Sequence, residues 1–342
     1  IKPLARKIFV TGPTATSLEV LLGNYYGFNN QMITLLEGIT GRIPEGMGME
    51  YHPGTPLTHP RAIERSWAPY MAQSADVSIV CVGSTPQLEG EEGESLLTPL
   101  NGDRDSISLP ASQVDYIKEL AISGARIVLV VTGGSPIALG EVADLADAIL
   151  FVWYPGMEGG RAVADVLFGD IAPAGKLPLT FPQSLDQLPT FDDYNMAGRT
   201  YRYMTAEPLY PFGFGLSYTT FMYCDLQIAA PASSGFEAAV TVENTGSVAS
   251  DEIVQFYLSA IDSKLPAPIS QLIGFQRIHL EPGQSQTVTL MVKPEMLMLF
   301  DENGQQVFQP GKFRLTAGSC SPGTLGLALG AAEPVSIEFE IS

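Results

Sequence analysis

The sequence predicts an α/β sandwich, a mostly parallel sheet with helices on both faces, followed by an all-β sandwich. Three observations carry this. Near-continuous apolar runs of five to seven residues recur through the first half, most of them ending at Gly or Gly-Gly. Segments of helical apolar spacing separate them. After Tyr218 the pattern changes to short stretches alternating apolar and polar residues, divided by turn dipeptides.

The elements follow in order. Lys7 to Thr11 (KIFVT) is the first strand, and Gly12-Pro13 ends it. Helical spacing follows near Ser17 to Leu22, over Phe28 to Ile39, and over Arg61 to Gln73. Asp76 to Val82 (DVSIVCV) is apolar almost throughout, as expected of a strand covered on both faces. Pro110 opens a helix with Val114, Ile117 and Leu120 on one face, closed by Gly124. Arg126 to Thr132 is a further buried strand, Ile137 to Leu145 a helix, Ala148 to Val152 a strand, and Gly159 to Phe168 a helix stopped by Gly169. Residues Gly175 to Tyr218, rich in Pro, Tyr and Phe, read as an extended linker whose aromatic residues pack on folded neighbours. Beyond it, Phe236 to Glu243, Glu252 to Ser259, Gln271 to Leu280 and Gln286 to Val292 alternate as half-buried strands do. Turns such as Asn244-Thr-Gly246 and Pro282-Gly283 separate them. The expected division is 1–180 for the α/β domain, 181–218 for the linker and 219–342 for the β-sandwich.

Composition narrows the function. Asp and Glu number 37 against 18 Lys and Arg, a formal net charge of −19. Nucleic-acid phosphates and anionic membrane surfaces call for the opposite sign, so neither is an expected partner. An uncharged ligand is compatible. No apolar stretch approaches the ~18 residues of a membrane span. Cys81, Cys224 and Cys320 are too few for a disulfide framework; Cys81 lies in a core run, and Cys224 and Cys320 are close enough in sequence region to pair or stay free. His52, His59 and His279 are scattered, and no metal or cofactor is implied. No Gly-x-Ser-x-Gly elbow, phosphate loop or dinucleotide fingerprint occurs.

One connection breaks the α/β rhythm. Residues 84–109 follow a buried strand without clear periodicity, where such loops usually take about 2–6 residues. The loop leaves the carboxyl end of its strand, where open α/β sheets bind ligands. It holds Glu89, Glu91, Glu92 and Glu94, with no Lys or Arg between Arg65 and Arg104. Crowded carboxylates disfavour one another's ionisation, and a carboxyl kept protonated is what a general acid must be. Gly90 and Gly93 give the backbone freedom to aim a side chain, and Asp103-Arg104 offers an ion pair to anchor the far end. The alternative is a solvated acidic surface loop, with or without a cation; its spacing is not that of an EF-hand. Asn24, Tyr25 and Tyr26, and Trp153 with Tyr154 at a strand end, have the chemistry to line a sugar site, though packing accounts for them equally.

Several motifs in this order resemble family 3 glycoside hydrolases of the β-glucosidase/β-xylosidase type. They are Leu21-Leu-Gly-Asn-Tyr-Tyr-Gly27, the loop from Leu88 to Leu109, Tyr154-Pro-Gly-Met-Glu-Gly-Gly160, Gly175-Lys-Leu-Pro-Leu-Thr-Phe181, Gly198-Arg-Thr-Tyr-Arg-Tyr203 and Tyr210-Pro-Phe-Gly-Phe-Gly-Leu-Ser-Tyr218. The region after Thr219 resembles the fibronectin type III-like domain often found at that family's C-terminus. The resemblance implies exo-acting, retaining hydrolysis of terminal β-linked sugars, from a β-glycoside or oligosaccharide substrate. It also implies an N-terminal (β/α)8-type barrel that carries the aspartate nucleophile and stands outside this sequence, and it leaves room for a homo-oligomer. Related loops read Glu-x-Glu-Gly-x-Asp-Arg with the second glutamate as acid/base. Counted forward from Gly83, that register gives Glu91, with Glu92, Glu89 and Glu94 as the other candidates. Glu92 replaces the glycine of that pattern, and the spacing to Asp103-Arg104 is longer. β-Glucosidase is the preferred activity and β-xylosidase the alternative. A non-catalytic carbohydrate-binding or scaffold module is the reading from another class.

Overall fold

A computed structural model of the chain describes residues 1, 5–23, 27, 29–61, 66–90 and 104–342. Its contacts divide the chain into two units. One comprises residues 1–170 with 183–185, the other 171–182 with 186–342.

The first unit is an α/β sandwich. Strands β1 (Lys7–Thr11), β2 (Gly48–His52), β3 (Val77–Gly83), β4 (Ile127–Thr132) and β5 (Ala148–Trp153) form one sheet in the order β2-β1-β3-β4-β5. Every pairing in it is parallel. All seven residues of β3 are buried, as its apolar run demands for a strand with neighbours on each side and helices on both faces. Side chains alternate across the pleat. Ile8, Val10, Ile79, Cys81 and Val130 share one core cluster with Leu35 and Ile39 of α1 (Leu35–Gly41) and Val163, Ala164 and Leu167 of α5 (Gly159–Phe168). Helix α2 (Ala68–Ser74) packs on β1 and α4 (Ala111–Ile122) on β3, and the two helices touch each other. A single helical turn, α3 (Pro86–Glu89), follows β3.

Four sequence expectations change. The edge strand β2 was not anticipated: its sequence, Gly-Met-Glu-Tyr-His, is exposed or half-buried throughout and lacks an apolar run. Of the span Phe28 to Ile39, only Leu35 onward is helical among the described residues. Thr34 caps that helix, with its hydroxyl accepting from the Glu37 N–H and the Glu37 carboxylate accepting from the Thr34 N–H, a capping box that fixes the start. In Arg61 to Gln73 the described helix begins at Ala68. The stretch Ile137 to Leu145 keeps only a 3₁₀ turn at Ala143–Leu145, consistent with Gly140 inside it and Pro136 before it.

Helices α1 and α5 cross at their glycines. A Cβ on Gly160 would meet the backbone oxygens of Thr34 at 2.0 Å and Ile33 at 2.6 Å. Backbone atoms cannot rotate aside, so Gly160→Ala is expected to destabilise this unit by about 3 kcal/mol in urea unfolding. Gly41→Ala, on α1 with nothing within 4 Å of the added carbon, is the control; it should be neutral or stabilise by up to about 1 kcal/mol.

The second unit is a β-sandwich. Strands β6 (Phe221–Ile228), β7 (Phe236–Asn244), β8 (Ser250–Ala260), β9 (Gln271–Leu280), β10 (Ser285–Val292), β11 (Met298–Phe300), β12 (Gln306–Phe308), β13 (Gly311–Gly318) and β14 (Val335–Ile341) pair antiparallel. The main sheets run β10-β7-β6 and β14-β13-β8-β9, and β11 and β12 form a separate ribbon. Residues from both main sheets, among them Val240, Val242, Val288, Val254, Phe256, Leu315 and Phe339, make one core. Cys81 is buried in the first unit's core, and Cys224 and Cys320 are free thiols.

The Pro- and Tyr-rich segment before β6 packs on this sandwich within the same unit. Tyr201 stacks on Phe212 at 4.3 Å and meets Tyr257 of β8 edge-on, and Tyr210 stacks on Phe214. A buried charge cluster ties it further. Lys176 Nζ lies 3.2 Å from the Glu252 carboxylate and donates to the Gly215 carbonyl, and Tyr223 Oη donates to Glu252 at 2.7 Å. Glu252 is 2% exposed.

Candidate active site

The carboxyl ends of β3, β4 and β5 lie side by side, with Gly83 in register with Thr132 and Thr132 with Trp153. The three segments leaving them carry the candidate site. Gln113 of α4 holds the first in place. Its side-chain carbonyl accepts from the Gly83 N–H at 2.8 Å, and its amide donates to the carbonyls of Gly83 and Leu57, each at 2.9 Å. Gln113 is fully buried, so this side chain has found all its partners, as a buried amide must. From there Thr85 caps α3, and the helix delivers Glu89.

Glu89 is 12% exposed and held from three directions. The Gly134 N–H, after β4, donates to both carboxylate oxygens at 2.9 and 3.1 Å. Arg104 Nη1 lies 3.3 Å from Oε1, and the Ser135 hydroxyl donates to Oε1 at 3.4 Å. Arg104 is itself 15% exposed and also reaches the Ser135 hydroxyl and the Ser106 carbonyl. The Glu89–Arg104 pair therefore joins the two described ends of the glutamate loop and fastens both to the turn after β4.

Gly134 makes this possible. A Cβ there would meet Glu89 Oε2 at 2.6 Å and Tyr154 Cε2 at 2.9 Å. Tyr154 reaches the spot because β5 ends irregularly, with a bulge opposite Thr132 and with Trp153 in a left-handed conformation, φ 56°. The Tyr154 hydroxyl is buried beside the Glu89 carboxylate and the Ser84 hydroxyl. Burial first, and then the nearby Glu89 charge, push its pKa well above the usual tyrosine value. A cleft of about 300 Å³ opens beside this arrangement, bordered by Gly83, Ser84, Leu88, Arg104, Ser106 and Ile137.

Of the residues singled out by sequence, Glu89 and Arg104 meet in an ion pair, as an anchored loop end requires, with Glu89 rather than Asp103 as Arg104's described partner. Tyr154 lies against them. Glu91, Glu92 and Glu94, together with Asp103, Asn24, Tyr25 and Tyr26, lie outside the described residues. Glu158, just before α5, makes no capping bond and pairs with Arg161 at 2.8 Å. Sequence reasoning missed Gln113, Gly134 and Ser135. The Gly133-Gly134-Ser135 turn after a buried strand was the only signal for two of them. No group of His, Cys, Asp and Glu among the described residues could hold a metal ion, and no helix among them is long and apolar enough to cross a membrane.

Comparison with known proteins agrees with this architecture. Residues 1–218 match the glycosyl hydrolase family 3 C-terminal domain, and residues 252–321 match the fibronectin type III-like domain. The chain belongs to the glycosyl hydrolase family 3 C-terminal domain family. It is 34% identical to a periplasmic beta-glucosidase of Salmonella typhimurium over 91% of this chain and 44% of that protein. It is 40% identical to a xylan 1,4-beta-xylosidase of Xylanibacter ruminicola over 71% of this chain and 28% of that protein. Among solved structures it resembles the beta-glucosidase of Listeria innocua in complex with glucose, with a TM-score of 0.82 and 27% identity over 99% of this chain and 46% of the other. It also resembles the GH3 exo-beta-xylosidase XlnD, with a TM-score of 0.85 and 28% identity over 100% of this chain and 45% of the other. The chain thus spans less than half the length of these relatives.

Proposed function

We propose that the full-length protein is an exo-acting, retaining β-glycosidase that removes terminal β-linked sugars, with this chain supplying the general acid/base glutamate. The observation that carries the reading is the glutamate loop itself. In a chain of this family it leaves the carboxyl end of a fully buried central strand, and Glu89 and Arg104 fasten its ends. We assign the acid/base role to Glu91, ahead of Glu92, Glu89 and Glu94, on the register of the family motif.

Retention requires two carboxyl groups about 5–5.5 Å apart. In this reading the partner is an aspartate on an N-terminal barrel of the same protein. The aspartate attacks the anomeric carbon while Glu91 protonates the departing glycosidic oxygen. Glu91 then takes a proton from the water that releases the sugar. The reaction needs no metal or cofactor.

A β-glucosidase is the first assignment. The β-xylosidase reading has its own support, since the identity to the Xylanibacter ruminicola xylosidase is 40% against 34% to the Salmonella beta-glucosidase. Hydrolysis of β-linked glucose and xylose oligosaccharides labelled at the reducing end tests both. An exo-glycosidase acting from the non-reducing end releases unlabelled monosaccharide first, and the faster series names the sugar. Release of labelled monosaccharide first would contradict the reading, as would turnover of neither series.

A further inference from the structure

We propose that Glu89 is a positioning residue, clasped by Arg104 and Gly134 to orient the acid/base glutamate of its loop, and does not itself transfer the proton. The proposal rests on the retaining-glycosidase reading above. Three features of the described residues support it.

First, the groups facing Glu89 are an amide N–H, a guanidinium and the hydroxyls of Ser135 and Tyr154, each able to donate to a carboxylate. The Gly134 N–H spans both oxygens, and Arg104 and the Ser135 hydroxyl face Oε1. The arrangement suits a carboxylate that accepts and stays put, whereas a general acid must turn a proton toward a leaving group.

Second, the site is shaped for this carboxylate. Gly134 has no side chain, and the space a Cβ would take is filled by Glu89 Oε2 and the Tyr154 ring. The left-handed Trp153 that brings Tyr154 there is a conformation that costs energy and persists where surrounding structure fixes it.

Third, the clasp sits where leverage is greatest. Glu89 stands two residues before Glu91, at the end of a capped turn, and Arg104 stands at the loop's other end. The pair joins the two described ends that flank residues 91–103. A misplacement of about 1 Å in a reacting group can cost about 100-fold in rate.

The test uses the full-length protein and its Glu89→Gln, Arg104→Met and double variants, with near-ultraviolet circular dichroism to confirm folding. On a β-glycoside with a poor leaving group, each single variant is expected to lose about 10- to 100-fold in kcat with little change in KM. The double variant should lose no more than the worse single, because both remove one clasp. The basic limb of the pH profile should survive in Glu89→Gln, and azide should not rescue it. Hydrogen exchange at the Gly134 amide should rise in both singles, a readout that does not depend on turnover. Azide rescue of Glu89→Gln with loss of the basic limb would overturn the proposal by making Glu89 the acid/base itself. So would unchanged kinetics, strictly additive losses, or unchanged Gly134 exchange. A wild-type protein that cleaves no β-glycoside would sink the glycosidase reading and the positioning role with it, while Gly134 exchange would still show whether the clasp exists.

Discussion

Glu91→Gln in the full-length protein is expected to lower kcat/KM by about 10²–10⁴-fold on a β-glycoside with an alcohol or sugar leaving group. The loss should shrink on an aryl glycoside whose phenolate departs without a proton. That dependence on the leaving group separates a missing acid from a damaged fold, which would depress both substrates alike. Azide, a nucleophile that needs no general base, should restore release of the sugar from the covalent intermediate when the leaving group is activated. The same substitution at Glu92 or Glu94 is the comparison. If one of these shows the leaving-group dependence and Glu91→Gln does not, the register drawn from the Glu-x-Glu motif is off, since Glu92 stands where that motif has glycine.

The second large effect concerns stability. Lys176→Met should destabilise the β-sandwich unit by about 3–5 kcal/mol, the range for breaking a buried ion pair at one end. Glu252 is 2% exposed and keeps Lys176 at 3.2 Å and the Tyr223 hydroxyl at 2.7 Å. Without the ammonium its charge keeps only neutral partners, the Tyr223 phenol and the Ile253 backbone N–H. The pH dependence follows from the sign of the shift. Burial raises the Glu252 pKa in the folded state, and Lys176 is the largest influence holding it down. A carboxyl whose pKa is raised on folding favours the native state while both states are protonated, below the unfolded value of about 4.3. That contribution is lost as pH climbs through the folded value. Removing Lys176 raises the folded value further, so the deficit of Lys176→Met should be small near pH 4 and widen toward neutrality. Urea unfolding across that range measures it. Adding Glu252→Gln, which keeps an acceptor for Tyr223 and removes the charge, should recover much of the loss and flatten the pH dependence. A deficit that stays constant with pH would place the cost in packing rather than in the stranded charge.

The central strands were legible because burial on both faces leaves an unbroken apolar run, as in Val77–Gly83. β2 was hidden because an edge strand needs no such run. Helix starts were legible in principle. Thr34 and Glu37 form a capping box that apolar spacing alone overran. The aromatic segment before Tyr218 disclosed its packing but not Lys176, whose partner Glu252 sits in an alternating strand like any outward-facing charge. At the candidate site, the glutamate cluster is a local feature and stands out in the sequence. The clasp is not local. Glu89 and Gly134 are 45 positions apart, joined only when β3 and β4 pair in parallel register. Gln113 was hidden for the same reason, since its work is to satisfy Gly83 and Leu57 from a different helix.

The proposed role of this chain, supplying the acid/base group of a retaining β-glycosidase, has a stereochemical consequence. Proton NMR of an aryl β-glucoside, and of the matching β-xyloside, during the first moments of hydrolysis by the full-length protein tests it most directly. The β-anomer of the free sugar is expected to appear first and to mutarotate to the α-anomer afterwards. Initial release of the α-anomer, or hydrolysis that proceeds unchanged when Glu89, Glu91, Glu92 and Glu94 are each replaced by Gln, would contradict it.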